Sequence, residues 1–208
     1  MNEIFKPKKI IIYIIIVFCG ILTIRYQLYF ENFWLDEMTS FWIADPTISL
    51  EETFFRHKKS DFHNPILFNL ILKNFLYLTQ YEPNTARLLP FFFGIISLFF
   101  FGLLSYQIKK DNSFLLTTFL ACVSIYIIKY SQEVRPYSLL LMLSIINIFL
   151  YCQIFRKVNS SKLYSYSITF IFIIISVLNY STNPFSLIIL YSQIAHLIFI
   201  FFYLKKKK

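Results

Sequence analysis

The sequence has little of what a soluble domain uses to fold. Among its 208 residues there are only 3 glycines and 7 prolines, and charged residues make up 15%. Hydrophobic residues account for 57% of the chain, aromatic residues for 21%, and the mean hydropathy is +0.60. A soluble core cannot bury that much apolar surface, so this composition predicts a protein whose surroundings are lipid.

Cysteine is also scarce. Cys19, Cys122 and Cys152 all fall within apolar runs, and their spacing matches no metal site. This pattern excludes a disulfide-stabilised secreted fold, and we expect buried thiols without a disulfide.

Positive charge is plentiful, but it is not gathered into one patch. The net charge is +9, and the basic residues cluster at the ends of apolar runs, as they do in membrane proteins. We therefore predict no nucleic-acid partner. The first run follows three lysines and has no small-residue cleavage site after it, which favours a retained helix over a signal peptide.

Seven apolar runs are candidates for membrane crossings, each of which needs about 20 residues. They are residues 10–28, 65–78, 88–106, 114–128, 137–155, 163–178 and 185–204. The second run differs from the others because it is short and is interrupted by Asn69, Lys73 and Asn74.

The charges decide how the second run is interpreted. If it lies along the outer interface, 12 of the 20 basic residues but only 2 of the 11 acidic residues face the cytoplasm. This asymmetry satisfies the positive-inside rule. We therefore predict an all-α polytopic bundle in the cytoplasmic membrane, with about six crossings and both termini inside. The single module 1–208 divides into a first crossing (1–30), an external loop of amphipathic interfacial helices (31–87) and five further crossings (88–204).

The external loop shows helix signals of its own. Asp36 is the expected N-cap of a short helix that presents Met38, Phe41 and Trp42 on one apolar face and ends near residue 45. The pattern from Ser49 to Glu52 is a capping box and predicts a second short helix.

Three acids stand out as candidates for catalysis. Asp36 and Glu37 are adjacent, so their side chains leave a helix about 100° apart and should have different duties. Glu133 lies in a short turn between two crossings, close in sequence to Lys129 and Arg135. Ionisable groups at membrane level suggest function by default, although a cap at Asp36, a solvated Glu37 and snorkelling cations are the alternatives.

Transfer of a sugar from a lipid-borne phosphate would use these residue types. Cations hold the phosphate, a carboxylate deprotonates the acceptor hydroxyl, and polar or aromatic side chains position the sugar. Asp36 is the candidate base. The candidate substrate-binding residues are Arg87, Lys129 and Arg135 for the phosphate and His63, Tyr130 and Tyr137, with Trp34, for the sugar.

Five motifs in order resemble the C-type membrane glycosyltransferases, in the bacterial branch that includes proteins like protein O-mannosyltransferases and lipopolysaccharide sugar transferases. They are WLDE (34–37), DFHNP (61–65), ARLLPFFFG (86–94), YSQEVRPYSLLLML (130–143) and NYSTNPFSLIIL (179–190). The resemblance implies a polyprenyl-phosphate sugar donor, attacked on the outer face with inversion to glycosylate an envelope glycan, lipid or protein.

The resemblance also implies residue roles. Asp36, with Glu37 beside it, matches the family's first-loop acid, which acts as a base or helps to bind a metal. Glu133 and Arg135 match the second external acid and its basic companion, and the remaining matches are His63 and Arg87. Members of the family are usually longer, so we expect a fragment, or a half that a second chain completes.

Two other interpretations stay open. The chain could be a non-catalytic remnant or a scaffold in a cell-envelope assembly, and a small transporter is less favoured because polar groups are sparse within the crossings. No cofactor is firmly predicted, although Asp61 and His63 have a spacing that could hold a divalent metal.

Overall fold

The computed structural model describes residues 7–26, 28–29, 32–60, 65–109, 112–156 and 162–206, and these contain helices and no strand. The helices are α1 (Pro7–Arg25), α2 (Leu35–Ile43), α3 (Leu50–Ser60), α4 (Leu67–Leu78), α5 (Pro83–Ala86), α6 (Leu88–Lys109), α7 (Ser113–Cys122), α8 (Ile125–Tyr130), α9 (Tyr137–Arg156), α10 (Lys162–Tyr180) and α11 (Leu187–Lys206). A 3₁₀ turn, Pro184–Ser186, precedes α11. The all-α prediction is confirmed.

Four helical segments are long and apolar enough to cross a membrane, which indicates an integral membrane protein. They are Pro7–Arg25, Pro83–Lys109, Tyr137–Phe155 and Pro184–Phe202. They match four of the six predicted crossings. The other two predicted crossings correspond to shorter apolar helices, Ser113–Cys122 and Tyr164–Tyr180, and α4 is a third short apolar helix.

The run predicted at 114–128 is two helices, because the backbone leaves the helix at Val123 and Ser124. The Thr23 hydroxyl lies 3.2 Å from the Cys122 carbonyl oxygen, so α1 supplies a donor for a carbonyl that the break leaves without a helical partner. Gly20 permits this approach, since a Cβ there would lie 2.4 Å from Cys122 Sγ.

One end of the bundle gathers the chain segments that matter for the site, and we call it the loop end. The Gln132 carboxamide nitrogen donates to the carbonyl oxygens of Ile24 and Tyr26, both at 2.7 Å. Arg87 Nη1 donates to the Leu28 carbonyl oxygen at 3.1 Å. The segment 28–87 therefore returns to the end of the bundle from which it departs. The 12 residues of α4 give a helix of about 18 Å.

The loop helices pack on the bundle through a shared apolar cluster. Phe68, Leu72 and Leu76 of α4 are buried in this cluster. The other buried members are Ala44, Ala86, Leu89, Val134, Leu139 and Leu143. Val134 belongs to the turn 131–136, so the cluster fixes that turn against the loop region.

The predicted start of α2 is wrong, although its predicted end is confirmed. Trp34 is the N-cap, not Asp36, and the Glu37 carboxylate accepts a hydrogen bond from the Trp34 backbone N–H at 3.1 Å. The predicted apolar face is only partly right: Phe41 packs against the apolar cluster, whereas Met38 and Trp42 are exposed, and Glu37, Ser40 and Ile43 are buried. The second capping signal is confirmed, because Ser49 Oγ accepts from the Glu52 N–H at 3.2 Å.

The thiols are free, as expected, but they are not all buried. Cys122 is buried, Cys152 is half-buried, and Cys19 is exposed. Cys19 lies on α1, most of whose surface faces away from the protein and is available to lipid.

Candidate functional site

A buried ion pair lies at the centre of the loop end. Glu37 is 1% exposed, and its Oε2 lies 2.8 Å from Arg87 Nη2, while Arg87 Nε donates to its Oε1 at 3.1 Å. This is the two-bond geometry in which guanidinium and carboxylate interact most strongly. The Arg87 guanidinium also stacks over the Phe33 ring, 5.0 Å from its centroid.

Two backbone N–H groups complete the surroundings of Glu37. The Val134 N–H donates to Oε1 at 2.9 Å, and the Trp34 N–H donates to Oε2. A carboxylate offers about four acceptor positions, and four donors occupy them here. In this arrangement Glu37 and Arg87 join α2, the start of α6 and the turn 131–136.

The neighbouring acid has the opposite surroundings. Asp36 is 70% exposed, and its Oδ2 lies 3.6 Å from Nη2 of Arg135, whose side chain is 13% exposed. The Arg135 guanidinium lies 5.7 Å from the centroid of the Tyr137 ring. Asp36 therefore presents a carboxylate to the outside within reach of a cation from a different part of the chain.

Glu133, whose side chain is 18% exposed, forms another ion pair at the loop end. Its Oε1 lies 3.7 Å from Lys129 Nζ, which also sits 5.1 Å from the centre of the Trp34 ring. Burial raises the pKa of the Glu133 carboxyl above its ordinary value; the Lys129 charge opposes the rise and the Glu37 charge adds to it. Glu133 thus binds a proton more readily than an exposed glutamate does.

An apolar groove begins beside these charges. It has a volume of about 420 Å³ and runs between α8, α9 and the start of α11. We call it the tyrosine groove, after Tyr126, Tyr130 and Tyr137; its walls also include Leu140, Phe185 and Ile188. The rings of Tyr130 and Tyr137 are 4.8 Å apart, so the groove opens next to the residue over which Arg135 stacks.

The structure brings together most of the predicted site residues. Tyr130 and Tyr137 line the tyrosine groove, Arg135 lies over the Tyr137 ring and pairs with Asp36, and Lys129, next to Tyr130 in sequence, pairs with Glu133. Glu37 and Arg87 form the separate buried pair that holds the turn 131–136. His63 and Asp61 lie outside the described residues, so their predicted roles, metal binding included, stay predictions. Within the described ranges, no group of three His, Cys, Asp or Glu side chains could hold a metal ion.

Sequence reasoning missed the residues that fix the turn 131–136. Gln132 holds the end of α1, and the Ser131 side chain packs directly on Gly94, where a Cβ would lie 2.1 Å from Ser131 Oγ. A signal was present, since Gly94 is one of only 3 glycines and all three occur within apolar helices.

Comparisons of the chain with protein-family models, with curated proteins and with solved structures found no match.

Proposed function

We propose that this chain is a membrane glycosyltransferase of the C type, which transfers a sugar from a polyprenyl-phosphate donor at the loop end. One observation carries the proposal. Two ion pairs, Asp36–Arg135 and Lys129–Glu133, adjoin Tyr137 and Tyr130 in the wall of a groove that is apolar and aromatic. A ligand with an anionic head and a long hydrocarbon tail complements both parts of that arrangement.

The proposed topology follows from the gathering of the loop segments at one end of the bundle. Six segments cross the cytoplasmic membrane, with α7 and α8 together making one crossing and α10 another, while α2 to α5 lie at the outer interface. The basic residues at the far ends of α6 and α9, Lys109 and Arg156, then face the cytoplasm, in agreement with the positive-inside rule.

The proposed reaction begins with the donor phosphate held by Lys129 and Arg135. The acceptor oxygen attacks the anomeric carbon and forms the new glycosidic bond, the bond from that carbon to the phosphate oxygen breaks, and polyprenyl phosphate leaves with the electron pair. The acceptor proton passes to the carboxylate of Asp36, which is exposed and can receive it. Glu133 holds Lys129 in place.

Photo-crosslinking tests the donor site. The full chain is reconstituted in phosphatidylcholine vesicles with polyprenyl phosphate bearing a photoactivatable tail, and the labelled peptides are mapped. Ile188→Trp fills the tyrosine groove and should reduce labelling by at least about tenfold. Ile198→Trp is the matched control, because it adds the same ring farther along the exposed surface of α11.

In Arg135→Gln, unlabelled polyprenyl phosphate should compete less well with the photoactivatable probe, because the variant lacks a cation beside the groove mouth. The donor site would be overturned if the labels spread evenly over the lipid-facing surfaces of α1, α10 and α11 and did not change in Ile188→Trp. A scaffold role would then be the better explanation.

A further inference from the structure

A second groove lies beside the turn 131–136, on the side opposite the tyrosine groove. It has a volume of about 480 Å³ and is lined by Leu22, Thr23, Tyr26, Ile128 and Gln132. We call it the α1 groove. Helix α8 separates the two grooves, because Tyr126, Ile127 and Tyr130 line the tyrosine groove whereas Ile128 lines the α1 groove.

Lys129 lies in sequence between Ile128 of the α1 groove and Tyr130 of the tyrosine groove. Lys129 and Glu133 form an ion pair on and just beyond the last turn of α8, directly after Ile128 and Gln132 in sequence. A molecule seated in either groove therefore places its head near the same charged group. Two lipids can approach that group from opposite sides of α8.

Gln132 lines the α1 groove, and Arg25 lies beside it in the last turn of α1. Arg25 lies three residues after Leu22, on the same side of α1, and among the described residues its side chain makes no ion pair. The Gln132 carboxamide donates through its nitrogen to the carbonyl oxygens of Ile24 in α1 and of Tyr26 just after it, which fixes the side chain at the groove wall. Its oxygen is then available to accept a hydrogen bond from a ligand hydroxyl.

We propose that the α1 groove holds the acceptor of the reaction, and that the acceptor is an anionic membrane lipid with a free hydroxyl in its headgroup. Arg25 binds the negative charge, Gln132 contacts the headgroup through its carboxamide oxygen, and the apolar walls contact the hydrocarbon chain. This inference rests on the proposed function, and it replaces the open choice among glycan, protein and lipid acceptors with the lipid.

Occupancy of the α1 groove is tested with the full chain in phosphatidylcholine vesicles that contain one-fifth phosphatidylglycerol with a photoactivatable acyl chain. We expect labelling of peptides that contain Leu22 and Ile128, a reduction of about tenfold or more in Leu22→Trp, and no reduction in Phe18→Trp, one helical turn away on the same exposed surface. Arg25→Gln should abolish the preference for phosphatidylglycerol over a phosphatidylcholine probe. Equal labelling by both probes in the unchanged chain would overturn the inference.

Transfer is tested with polyprenyl-phosphate hexoses that carry tritium in the sugar, in vesicles of total bacterial lipid. Mild acid cleaves the anomeric phosphate of the donor but leaves a glycoside intact. We expect acid-stable label in the organic phase, lost in Leu22→Trp while donor crosslinking persists.

Acid-stable label in protein or in the aqueous phase would overturn the lipid acceptor and leave the glycosyltransferase proposal standing. Absence of both donor crosslinking and acid-stable label would instead remove the proposed function, and the acceptor assignment with it.

Discussion

Two acid–arginine pairs at the loop end are made by adjacent residues, yet they have opposite surroundings. Glu37 is buried and accepts two hydrogen bonds from Arg87, whereas Asp36 is exposed and lies 3.6 Å from Arg135. The 100° between neighbouring side chains of a helix directs one acid into the protein and the other out of it.

Because of this difference, we assign Glu37 a structural role and Asp36 a role in the proposed chemistry. A buried, fully bonded carboxylate has no free acceptor position, so Glu37 fixes the turn that carries Glu133 and Arg135. An exposed carboxylate beside a cation can take a proton and make new contacts. In the proposed reaction, the buried pair positions the turn and the exposed acid takes part in the chemistry.

Loss of the buried acid should have the largest effect on stability. Glu37→Ala leaves Arg87 and two backbone N–H groups buried without their acceptor, and we expect a loss of about 3–5 kcal/mol in the free energy of unfolding. Chemical denaturation in detergent measures it. Asp36→Ala is the matched control and should cost less than about 1 kcal/mol.

The double variant Glu37→Ala/Arg87→Ala sharpens this result. If the two side chains act as a pair, its cost should be well below the sum of the single costs. Additive costs, or equal losses for the variants of Asp36 and Glu37, would remove the distinction between the two pairs.

Loss of the exposed acid should instead affect catalysis. Asp36→Asn keeps the shape of the side chain but cannot accept the acceptor proton, so we expect transfer to fall by roughly 100-fold or more with an unchanged unfolding transition. Tritiated polyprenyl-phosphate hexoses provide the assay. Full activity in Asp36→Asn would exclude Asp36 as the base, and a parallel loss of stability would assign it a structural role.

The packing of the turn offers a third test. A Cβ at Gly94 would lie 2.1 Å from Ser131 Oγ and 2.6 Å from its Cβ, so Gly94→Ala should displace the turn and cost about 1–3 kcal/mol. Ser131→Gly should restore much of that loss in the double variant. In Gly102→Ala the new methyl meets Tyr13, away from the turn, so donor crosslinking should be kept there and reduced in Gly94→Ala. Equal crosslinking in both would show that the turn does not position the site.

Sequence reasoning could predict the features that depend on local pattern. The apolar runs gave the helices of the bundle, and the Ser49 signal gave the start of α3. The charge distribution indicated that the turns bearing Asp36 and Glu133 share one side, and the two turns do contact each other through Arg135 and Val134.

The features that it could not predict depend on distant partners. The start of α2 is fixed when Glu37 binds the Trp34 N–H, and this carboxylate is held inward by Arg87, fifty residues away. Beside the break between α7 and α8, a hydroxyl from α1 lies 3.2 Å from the Cys122 carbonyl oxygen. No spacing within either segment contains this information, because tertiary contacts override local preference there.

The smallest effect should come from Glu133, which lies between the two pairs in exposure. Burial raises the pKa of its carboxyl in the folded chain, so the folded state binds a proton more readily than the unfolded state does. That contribution to stability is present below the ordinary pKa of a glutamate and is lost as the pH rises through the raised pKa. Glu133→Gln cannot ionise, so its unfolding free energy relative to the unchanged chain should increase with pH across this window.

Unfolding measured in detergent over a series of pH values checks the sign. Lys129→Gln sharpens the test, because it removes a positive charge that opposes the rise and should extend the window to higher pH. A difference between Glu133→Gln and the unchanged chain that stays constant with pH would show that Glu133 titrates alike in both states. The turn would then resemble the exposed surface at Asp36 more than the buried centre at Glu37.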